Sequence, residues 1–180
     1  MLHVIEPASS ARAKCRGCDQ KIAKDELRFG ERQPNAFGEG EMTLWFHLMC
    51  AAYKRPEPFL QTLENEKAVE NRERLAAIAE FGVAHRRVPR VNGAERAPSG
   101  RARCRSCKQL IERGTWRIAL VYFEEFRFEP SGFVHAACAG DYFDTTDLIE
   151  RIKYFSPQLD AGDLADLQLA LAAATGRAGD

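Results

Sequence analysis

Two sets of cysteine and histidine residues, with nearly equal spacing, are the most chemically informative feature of this 180-residue chain. The first set is Cys15-x-x-Cys18, 28 intervening residues and His47-x-x-Cys50; the second is Cys104-x-x-Cys107, 27 intervening residues and His135-x-x-Cys138. Together they use all six cysteines of the chain. Three thiolates and one imidazole complete a tetrahedral shell without an open position, which is typical of structural zinc. The sequence therefore predicts two Zn²⁺ ions per chain.

Cysteines and histidines in this pattern have two other interpretations, a disulfide framework and a catalytic metal site. An even number of cysteines also suits the disulfide framework of a secreted protein, but the N-terminal residues show no signal-peptide pattern and the paired histidines would then be coincidental. A metal-dependent hydrolase needs a water position and a general base beside the metal. The sequence contains no HExxH, no GxSxG and no phosphate-binding glycine loop. We therefore expect no enzymatic activity.

The residues around the ligands are repeated as well. Shifting the first set by 89 positions aligns its first two cysteines with those of the second set, and an offset of 88 aligns the later His and Cys. The shift also matches four further pairs: Arg12/Arg101, Gln20/Gln109, Ile22/Ile111 and Arg28/Arg117. A repeat that extends beyond the ligands indicates internal duplication.

These ligands must be held by short elements, which we expect to be the same in each copy. Strands are predicted near Glu26–Arg32 and Thr115–Phe123, the second of them rich in β-branched and aromatic residues. Each HxxC should open a helix, because residues i and i+3 lie on one helical face and can bind one ion. The predicted fold class is α+β, with two small zinc-stabilised modules, each a short antiparallel sheet plus helices.

A longer helix is expected after each zinc set. The first spans Glu64–Phe81 and stops at Gly82; the second follows an N-cap at Asp163, continues through Leu164, Leu167 and Leu171, and ends at Gly176. The expected domains are residues 1–90 for module one with its helix, 91–100 for a linker and 101–180 for module two. The linker assignment rests on its Asn-Gly dipeptide, its proline and its glycines.

The charge distribution is more informative than the formal net charge of zero. Residues 85–108 hold eight Lys/Arg against one acid, whereas residues 141–180 hold eight Asp/Glu against three Lys/Arg. A basic segment suits an anionic partner, although a solvated linker explains it equally well. No apolar run approaches the length of a membrane span. Cysteines in metal-ligand spacing favour an intracellular compartment, the nucleus in a eukaryote or the cytoplasm and nucleoid in a bacterium.

The ligand spacing together with the flanking arginines resembles the zinc fingers of poly(ADP-ribose) polymerases, here called PARP-type fingers. The segments that carry the resemblance are Arg12-Ala13-Lys14-Cys15, Lys24-Asp25-Glu26-Leu27-Arg28, Trp45-Phe46-His47-Leu48-Met49-Cys50, Gly100-Arg101-Ala102-Arg103-Cys104 and Trp116-Arg117. The long spacer between CxxC and HxxC is its most specific part. The resemblance covers roughly residues 10–60 and 99–145 and a helix after each. None of the 180 residues resembles the catalytic domain of these polymerases.

The resemblance implies a protein that binds DNA, with nicked or ended duplex preferred. By position, Arg12, Arg28, Arg101 and Arg117 would contact phosphate, which positions a protein without specifying sequence.

An aromatic side chain before the ligand histidine would stack on the base exposed at a break. Phe126 holds that position in copy two, whereas copy one has Gly38 there, Phe37 beside it and Met42 for a second apolar contact. Pro130 departs from the pattern, because an apolar stacking residue is expected at its position. Trp45 and Phe133, each two residues before a ligand histidine, are interpreted as core residues.

A second function from another class fits the same sequence. In a protein-interaction adaptor the zinc sites would serve as scaffolds, and a helix, either 64–81 or the acidic, leucine-rich one near the C-terminus, would dock a protein partner. Binding to phosphate weakens steeply as salt rises, whereas an apolar helix groove responds much less. Salt dependence therefore discriminates between the two functions.

Overall fold

The computed structural model describes residues 2–35 and 38–173 and divides the chain into two compact units, Met1–Ala84 and His85–Asp180. Each unit contains one three-stranded antiparallel sheet and several helices. The predicted α+β class with two zinc-binding modules is confirmed. Within the part of the chain that the structure describes, no helix has both the length and the apolar character needed to cross a membrane.

The sheet of unit one places an edge strand beside the strand that follows the CxxC. Its strands are β1 (Val4–Pro7), β2 (Leu27–Pro34) and β3 (Glu41–His47), in the order β1-β2-β3 with both pairings antiparallel. The side chains of Phe29, Leu44 and Phe46 are fully buried. The alternating residues Arg28, Gly30, Trp45 and His47 lie on the opposite face, because successive side chains of a strand point to opposite sides.

The helices of unit one pack on this sheet or on one another. They are α1 (Leu48–Lys54), α2 (Pro56–Leu63) and α3 (Arg72–Ala84). The rings of Phe59 in α2 and Phe29 in β2 meet edge to face, with centroids 5.5 Å apart. Helix α1 begins immediately after His47, as the HxxC spacing predicts.

The prediction of one helix over Glu64–Phe81 is wrong. Helix α2 ends at Leu63, Asn71 has a positive φ of 55°, and α3 begins only at Arg72. The Arg72 guanidinium donates to the carbonyls of Leu63 and Glu66, at 3.1 and 3.2 Å, so it satisfies backbone acceptors at the end of α2 instead of extending a helix through them. Gly82, expected to stop the helix, lies buried inside α3, which continues to Ala84.

Unit two repeats the same sheet with a longer hairpin. Its strands are β4 (Val91–Arg96), β5 (Trp116–Glu124) and β6 (Arg127–His135), in the order β4-β5-β6 and all antiparallel. The two-residue turn between β5 and β6 holds Glu125 and Phe126 at φ 46° and 66°. Positive φ at both central positions is typical of a type I′ turn, whose twist matches that of the strands.

The predicted linker 91–100 is wrong over most of its length, because residues 91–96 form the edge strand β4. Val91 is fully buried, and the Ser156 hydroxyl accepts a hydrogen bond from the Ala94 amide at 2.9 Å. Gly93, which suggested a linker, has φ +93°, and a Cβ there would lie 2.2 Å from Ser156 Oγ. This glycine permits a close approach of β4 to the chain at Ser156.

Three helices complete unit two: α4 (Ala139–Phe143), α5 (Ile149–Phe155) and α6 (Ala161–Ala172). A short 3₁₀ helix, Ala136–Cys138, opens the second HxxC in place of an α-helix. The N-cap of α6 is Asp160, whereas Asp163, the predicted cap, is the reciprocal partner of a capping box. Leu167 and Leu171 are buried, and Leu164 is half-buried. Gly176, the predicted end of this helix, lies outside the described residues.

Candidate metal centres and nucleic-acid interface

The eight predicted ligands form two clusters, one in each unit. In each cluster the sulfur and imidazole nitrogen atoms all lie within 4.8 Å of one another. His47 Nδ1 is 3.4 Å from Cys18 Sγ and 3.9 Å from Cys50 Sγ, and His135 Nδ1 is 3.4 and 3.8 Å from the sulfurs of Cys107 and Cys138. A tetrahedral zinc places its sulfur and nitrogen ligands about 3.5 Å apart. The clusters therefore have the size of tetrahedral Cys₃His sites.

Backbone groups orient the ligands in the same way in both units. The Nε2 atom of His47 lies 3.2 Å from the Lys21 carbonyl, and His135 Nε2 lies 3.2 Å from the Leu110 carbonyl. An Nε2–H that donates to a carbonyl leaves Nδ1 deprotonated and directed at the metal. The His47 amide also donates to Cys15 Sγ at 3.3 Å and the His135 amide to Cys104 Sγ at 3.4 Å, which favours the thiolate form.

Neighbouring thiols shift one another's pKa in both clusters. Hydrogen bonds from the Cys18 and Cys50 thiols lower the pKa of the Cys15 thiol to about 3. In the second cluster, burial and the negative charge of Cys104 raise the pKa of the Cys138 thiol to about 12. Three adjacent sulfurs do not all ionise without a counter-charge, because like charges disfavour each other. A divalent cation supplies that charge, and the soft thiolate donors select zinc.

Each zinc-ligand histidine is the last member of a row of three residues that crosses its sheet. In unit one, Glu6 of β1 pairs with Arg28 of β2, and Arg28 pairs with His47 of β3. In unit two, Glu95 of β4 pairs with Arg117 of β5, and Arg117 pairs with His135 of β6. Directly paired residues point to the same face of a sheet. Each row thus brings a carboxylate, a guanidinium and a zinc-ligand imidazole together on one face.

The arginines of these two Glu–Arg–His rows are buried and paired. Arg28 Nη2 donates to Glu6 Oε1 at 2.8 Å, and Arg117 Nη2 donates to Glu95 Oε1 at 2.5 Å. Each guanidinium also stacks on an aromatic ring, with its carbon 3.5 Å from the centroid of Trp45 or Phe133. The side chains of both arginines are 8% exposed. Ion pairing is the alternative to phosphate contact for these two arginines; both pairs are present, each with a buried guanidinium and a carboxylate that is about half exposed.

The two rows differ in one hydrogen bond. Arg117 Nε also donates to Glu95, at 3.1 Å, whereas Arg28 Nε is buried without a hydrogen-bond partner among the described residues. Trp45 and Phe133, interpreted from sequence as core residues, are half-buried platforms for these arginines. Trp45 lies against Gly30, where a Cβ would approach its ring to 2.7 Å, and Ala119 occupies the equivalent pairing position opposite Phe133.

The remaining predicted DNA contacts are distributed over exposed parts of each unit. Arg12 and Arg101 are exposed, each three residues before its first ligand cysteine. Phe126 lies half-buried at the tip of the β5–β6 hairpin, and Met42 is half-buried on β3. Phe37 lies outside the described residues. The structure therefore brings Arg28 and Arg117 next to zinc ligands, and it places Phe126 at the far end of its hairpin.

Sequence reasoning missed the carboxylates of the rows. Glu6 and Glu95 differ by 89 positions, the same offset that aligns the CxxC pairs and the two arginines. The offset therefore contained the signal, but the N-terminal strand and the supposed linker were not compared. The carbonyl groups of Lys21 and Leu110, which accept from the histidine Nε2–H groups and are also 89 positions apart, were missed because a backbone contact leaves no trace in residue type.

Fold and donor set together define a protein with two structural zinc modules of the Cys₃His type. Residues 6–81 match the family model described as the poly(ADP-ribose) polymerase and DNA-ligase Zn-finger region. A poly(ADP-ribose) polymerase of Sarcophaga peregrina is 30% identical over 138 residues, covering 67% of this chain and 14% of the polymerase. Poly(ADP-ribose) polymerase 1 of Gallus gallus is 32% identical over 130 residues, covering 63% of this chain and 13% of that protein.

A relative of another kind is aligned over both repeats. The polynucleotide 3′-phosphatase ZDP of Arabidopsis thaliana is 29% identical over 192 residues, which cover 92% of this chain and 27% of the phosphatase. This chain thus spans about a seventh of the polymerases it matches and about a quarter of the phosphatase.

The chain carries PARP-type zinc fingers, as its ligand spacing and flanking arginines predict. Its two clusters, Cys15, Cys18, His47, Cys50 and Cys104, Cys107, His135, Cys138, are the sites of two zinc ions per chain.

Proposed function

We propose that this protein binds DNA without catalysing a reaction, and that it prefers nicked or ended duplex to intact duplex. The observation that carries the proposal is the duplicated arginine arrangement beside two zinc sites, in a chain that matches the zinc-finger region of poly(ADP-ribose) polymerases and DNA ligases. The relatives are similar to this chain over a small part of their own length. We therefore propose DNA binding for this chain and not the reactions that the whole relatives catalyse.

In this proposal four arginines contact the phosphate backbone. Arg12 and Arg101 are exposed and reach phosphate directly. Arg28 and Arg117 lie beside the zinc ligands on the sheet face that carries the rows. Phosphate contacts fix position and orientation and carry no sequence information, which suits a protein that recognises a break and not a sequence.

Base stacking supplies the preference for breaks. Phe126 occupies the second central position of the β5–β6 turn with φ 66°, a conformation that bulky residues seldom adopt. An aromatic ring kept at a strained turn fits a role in contacting a ligand. A base that has lost its neighbour at a nick offers its face to such a ring, and stacking contributes about 1–3 kcal/mol per base. Phe37 and Met42 are proposed for the corresponding contacts of unit one.

We further propose that unit two binds DNA more tightly than unit one. Beside its CxxC the exposed side chains Arg103, Arg105 and Lys108 are all basic. In unit one the exposed Lys14 lies 3.8 Å from the Asp19 carboxylate, which reduces its positive potential. Residues 100–140 hold seven Lys/Arg against four acids, and residues 1–58 hold nine against eight.

Salt dependence of the exposed-arginine variants tests this function. Arg101→Ala should weaken binding to nicked and intact duplex by the same factor and reduce the slope of log K against log salt by about 0.9, the value for one phosphate contact. Arg12→Ala should have the same effect with a smaller loss of affinity. If a variant keeps its two zinc ions and binds DNA as tightly as wild type does, the substituted arginine makes no phosphate contact. Binding that is strong but insensitive to salt favours the adaptor.

A further inference from the structure

We propose that Glu6 and Glu95 are internal anions that occupy the phosphate-binding edges of Arg28 and Arg117, and that a DNA phosphate binds these arginines by displacing them. The proposal deepens the DNA-binding function and rests on it. It assigns a role to two residues that neither bind metal nor would contact a base.

The first support is the duplication of the geometry. Both carboxylates lie on edge strands, both pair in register with an arginine, and both accept from Nη2 through a single oxygen, Oε1. Both arginines lie flat on an aromatic ring at 3.5 Å. An ion pair with a solvent-exposed carboxylate contributes little to stability and is readily lost. The Glu–Arg pair is nevertheless present in both units, although the ring beneath the arginine is Trp45 in one and Phe133 in the other. Its presence in both units therefore indicates a role in binding.

The second support is the contrast in exposure within each pair. The arginine side chains are 8% exposed, whereas those of Glu6 and Glu95 are 45% and 49% exposed. One face of each guanidinium is covered by the ring of Trp45 or Phe133, so the edge toward the carboxylate is the side from which an anion can approach. A glutamate on an edge strand can rotate into water without disturbing the ladder, because only its side chain moves.

The third support comes from unit one, where Glu6 leaves a buried donor of Arg28 without a partner in the part of the chain that the structure describes. A guanidinium has five N–H donors, and Glu6 accepts from only one nitrogen of Arg28, whose Nε remains buried without a partner among the described residues. A phosphate offers several acceptor oxygens and pairs with arginine through two parallel bonds. Exchange of carboxylate for phosphate thus increases the hydrogen bonding of Arg28.

The exchange has a predictable effect on affinity. Carboxylate and phosphate are both anionic and compete for one guanidinium edge, and placing like charges side by side is strongly unfavourable. Replacement of either glutamate by glutamine keeps the size and the acceptor but removes the charge. Each replacement should therefore tighten DNA binding. The gain should be equal for nicked and intact duplex, because both carry the phosphate.

The experiment compares Glu6→Gln and Glu95→Gln with two matched controls, Glu41→Gln and Glu129→Gln. The controls make the same charge change in the same units, but their partners Arg32 and Arg127 are 42% and 64% exposed. Fluorescence anisotropy with zinc-loaded protein should give affinities about tenfold tighter for Glu6→Gln and for Glu95→Gln, equivalent to about 1.4 kcal/mol each. The controls should change affinity by less than about twofold.

A second measurement needs no variant. In ¹⁵N-labelled wild-type protein, the Arg28 Nε–H resonance should shift on addition of a short duplex and gain protection from exchange, as a buried donor acquires an acceptor. Equal gains for all four variants, weaker binding by Glu6→Gln and Glu95→Gln, or an Arg28 resonance unchanged by saturating duplex would each overturn the proposal. If wild type binds duplex and the two glutamine variants bind no better, only this inference fails. If no protein binds, the DNA-binding function itself fails.

Discussion

Loss of one zinc ligand should unfold one unit and spare the other. Cys15 is suited to this perturbation because it is 1% exposed and accepts hydrogen bonds from the amides of Gly17 and His47, each at 3.3 Å. Cys15→Ala therefore removes a ligand and leaves two amides, one buried and one partly buried, without their acceptor. Cys104→Ala makes the equivalent change in unit two, where the Cys104 sulfur accepts a hydrogen bond from the His135 amide.

The magnitude follows from the size of the unit. Unit one comprises Met1–Ala84, and a domain of this length has a free energy of unfolding of about 4–13 kcal/mol. Zinc binding in small finger modules contributes about 10–16 kcal/mol. Because the second range lies mostly above the first, unit one should not fold without its metal. Each unit has its own buried core, so the loss should stay within the unit that carries the substitution.

Native mass spectrometry and heteronuclear NMR measure this outcome together. Cys15→Ala should hold one zinc in place of two, with collapsed amide dispersion for unit one and unchanged resonances for unit two, and Cys104→Ala should give the converse. Ser106→Ala, a change between the ligands Cys104 and Cys107, serves as the control and should retain two zinc ions. Two zinc ions and native dispersion in Cys15→Ala would refute the reasoning, and so would the loss of both units.

Three further predictions concern the stacking residue, the backbone and the metal shell. Phe126→Ala should reduce the preference for nicked over intact duplex by about 1–3 kcal/mol and leave the salt slope unchanged; an unaltered preference would show that this ring stacks on no base. Gly93→Ala should destabilise unit two by more than the roughly 1–3 kcal/mol that a strained backbone position costs, because the new Cβ would lie 2.2 Å from Ser156 Oγ. Gly40→Ala has a similar φ of +96° but no atom within 4 Å of the new Cβ, so it should show the cost of backbone strain alone. Urea unfolding of each variant measures the difference, and equal losses would contradict the steric part of the argument. Cobalt substituted for zinc should give tetrahedral, thiolate-rich absorption that does not respond to added small anions, and a clear response would reveal an open coordination position and favour a hydrolase.

Local spacing was sufficient to predict the metal sites and the central strands. The ligands lie on a CxxC turn and at the start of a helix, so two residues separated by three positions define each half of the site. The strands β2 and β5 were predicted from their position after each CxxC and, for the second, from its β-branched and aromatic residues; in the structure Phe29 and Ile118 are buried on one face while Arg28 and Arg117 lie on the other. These features depend on residues close in sequence, and the repeat reinforced them.

Features that depend on distant contacts were not predictable from local sequence. The turn-forming residues of 91–96 indicated a linker, but Ser156, some sixty positions away, accepts a hydrogen bond from Ala94 and fixes this segment as an edge strand. Residues 64–71 have high helix propensity, yet the Arg72 side chain bonds the carbonyl of Leu63 and ends α2 there. Tertiary contacts of this kind override propensity, which contributes only tenths of a kcal/mol per residue.

The ion pairs of Arg28 and Arg117 at the candidate interface were likewise not predictable from local sequence. Their position relative to the ligands was evident from the offset of 89, but their burial was not, because it depends on Trp45 and Phe133 folding over them and on strands β1 and β4 supplying Glu6 and Glu95. A phosphate contact inferred from position alone therefore overlooks a competing carboxylate. Comparison of every residue at the repeat offset, including the edge strands, would have identified it.

The most direct test of DNA-break binding is a titration of zinc-loaded protein against three duplexes of the same sequence: one with a central nick, one with blunt ends, and one closed at both ends by hairpin loops. Affinities should be measured at several salt concentrations. We expect tightest binding to the nicked duplex, weaker binding to the closed one, and a steep linear fall of log K with log salt for all three. Equal affinity for the three duplexes would contradict break recognition, and affinity independent of salt would contradict binding to DNA through phosphate.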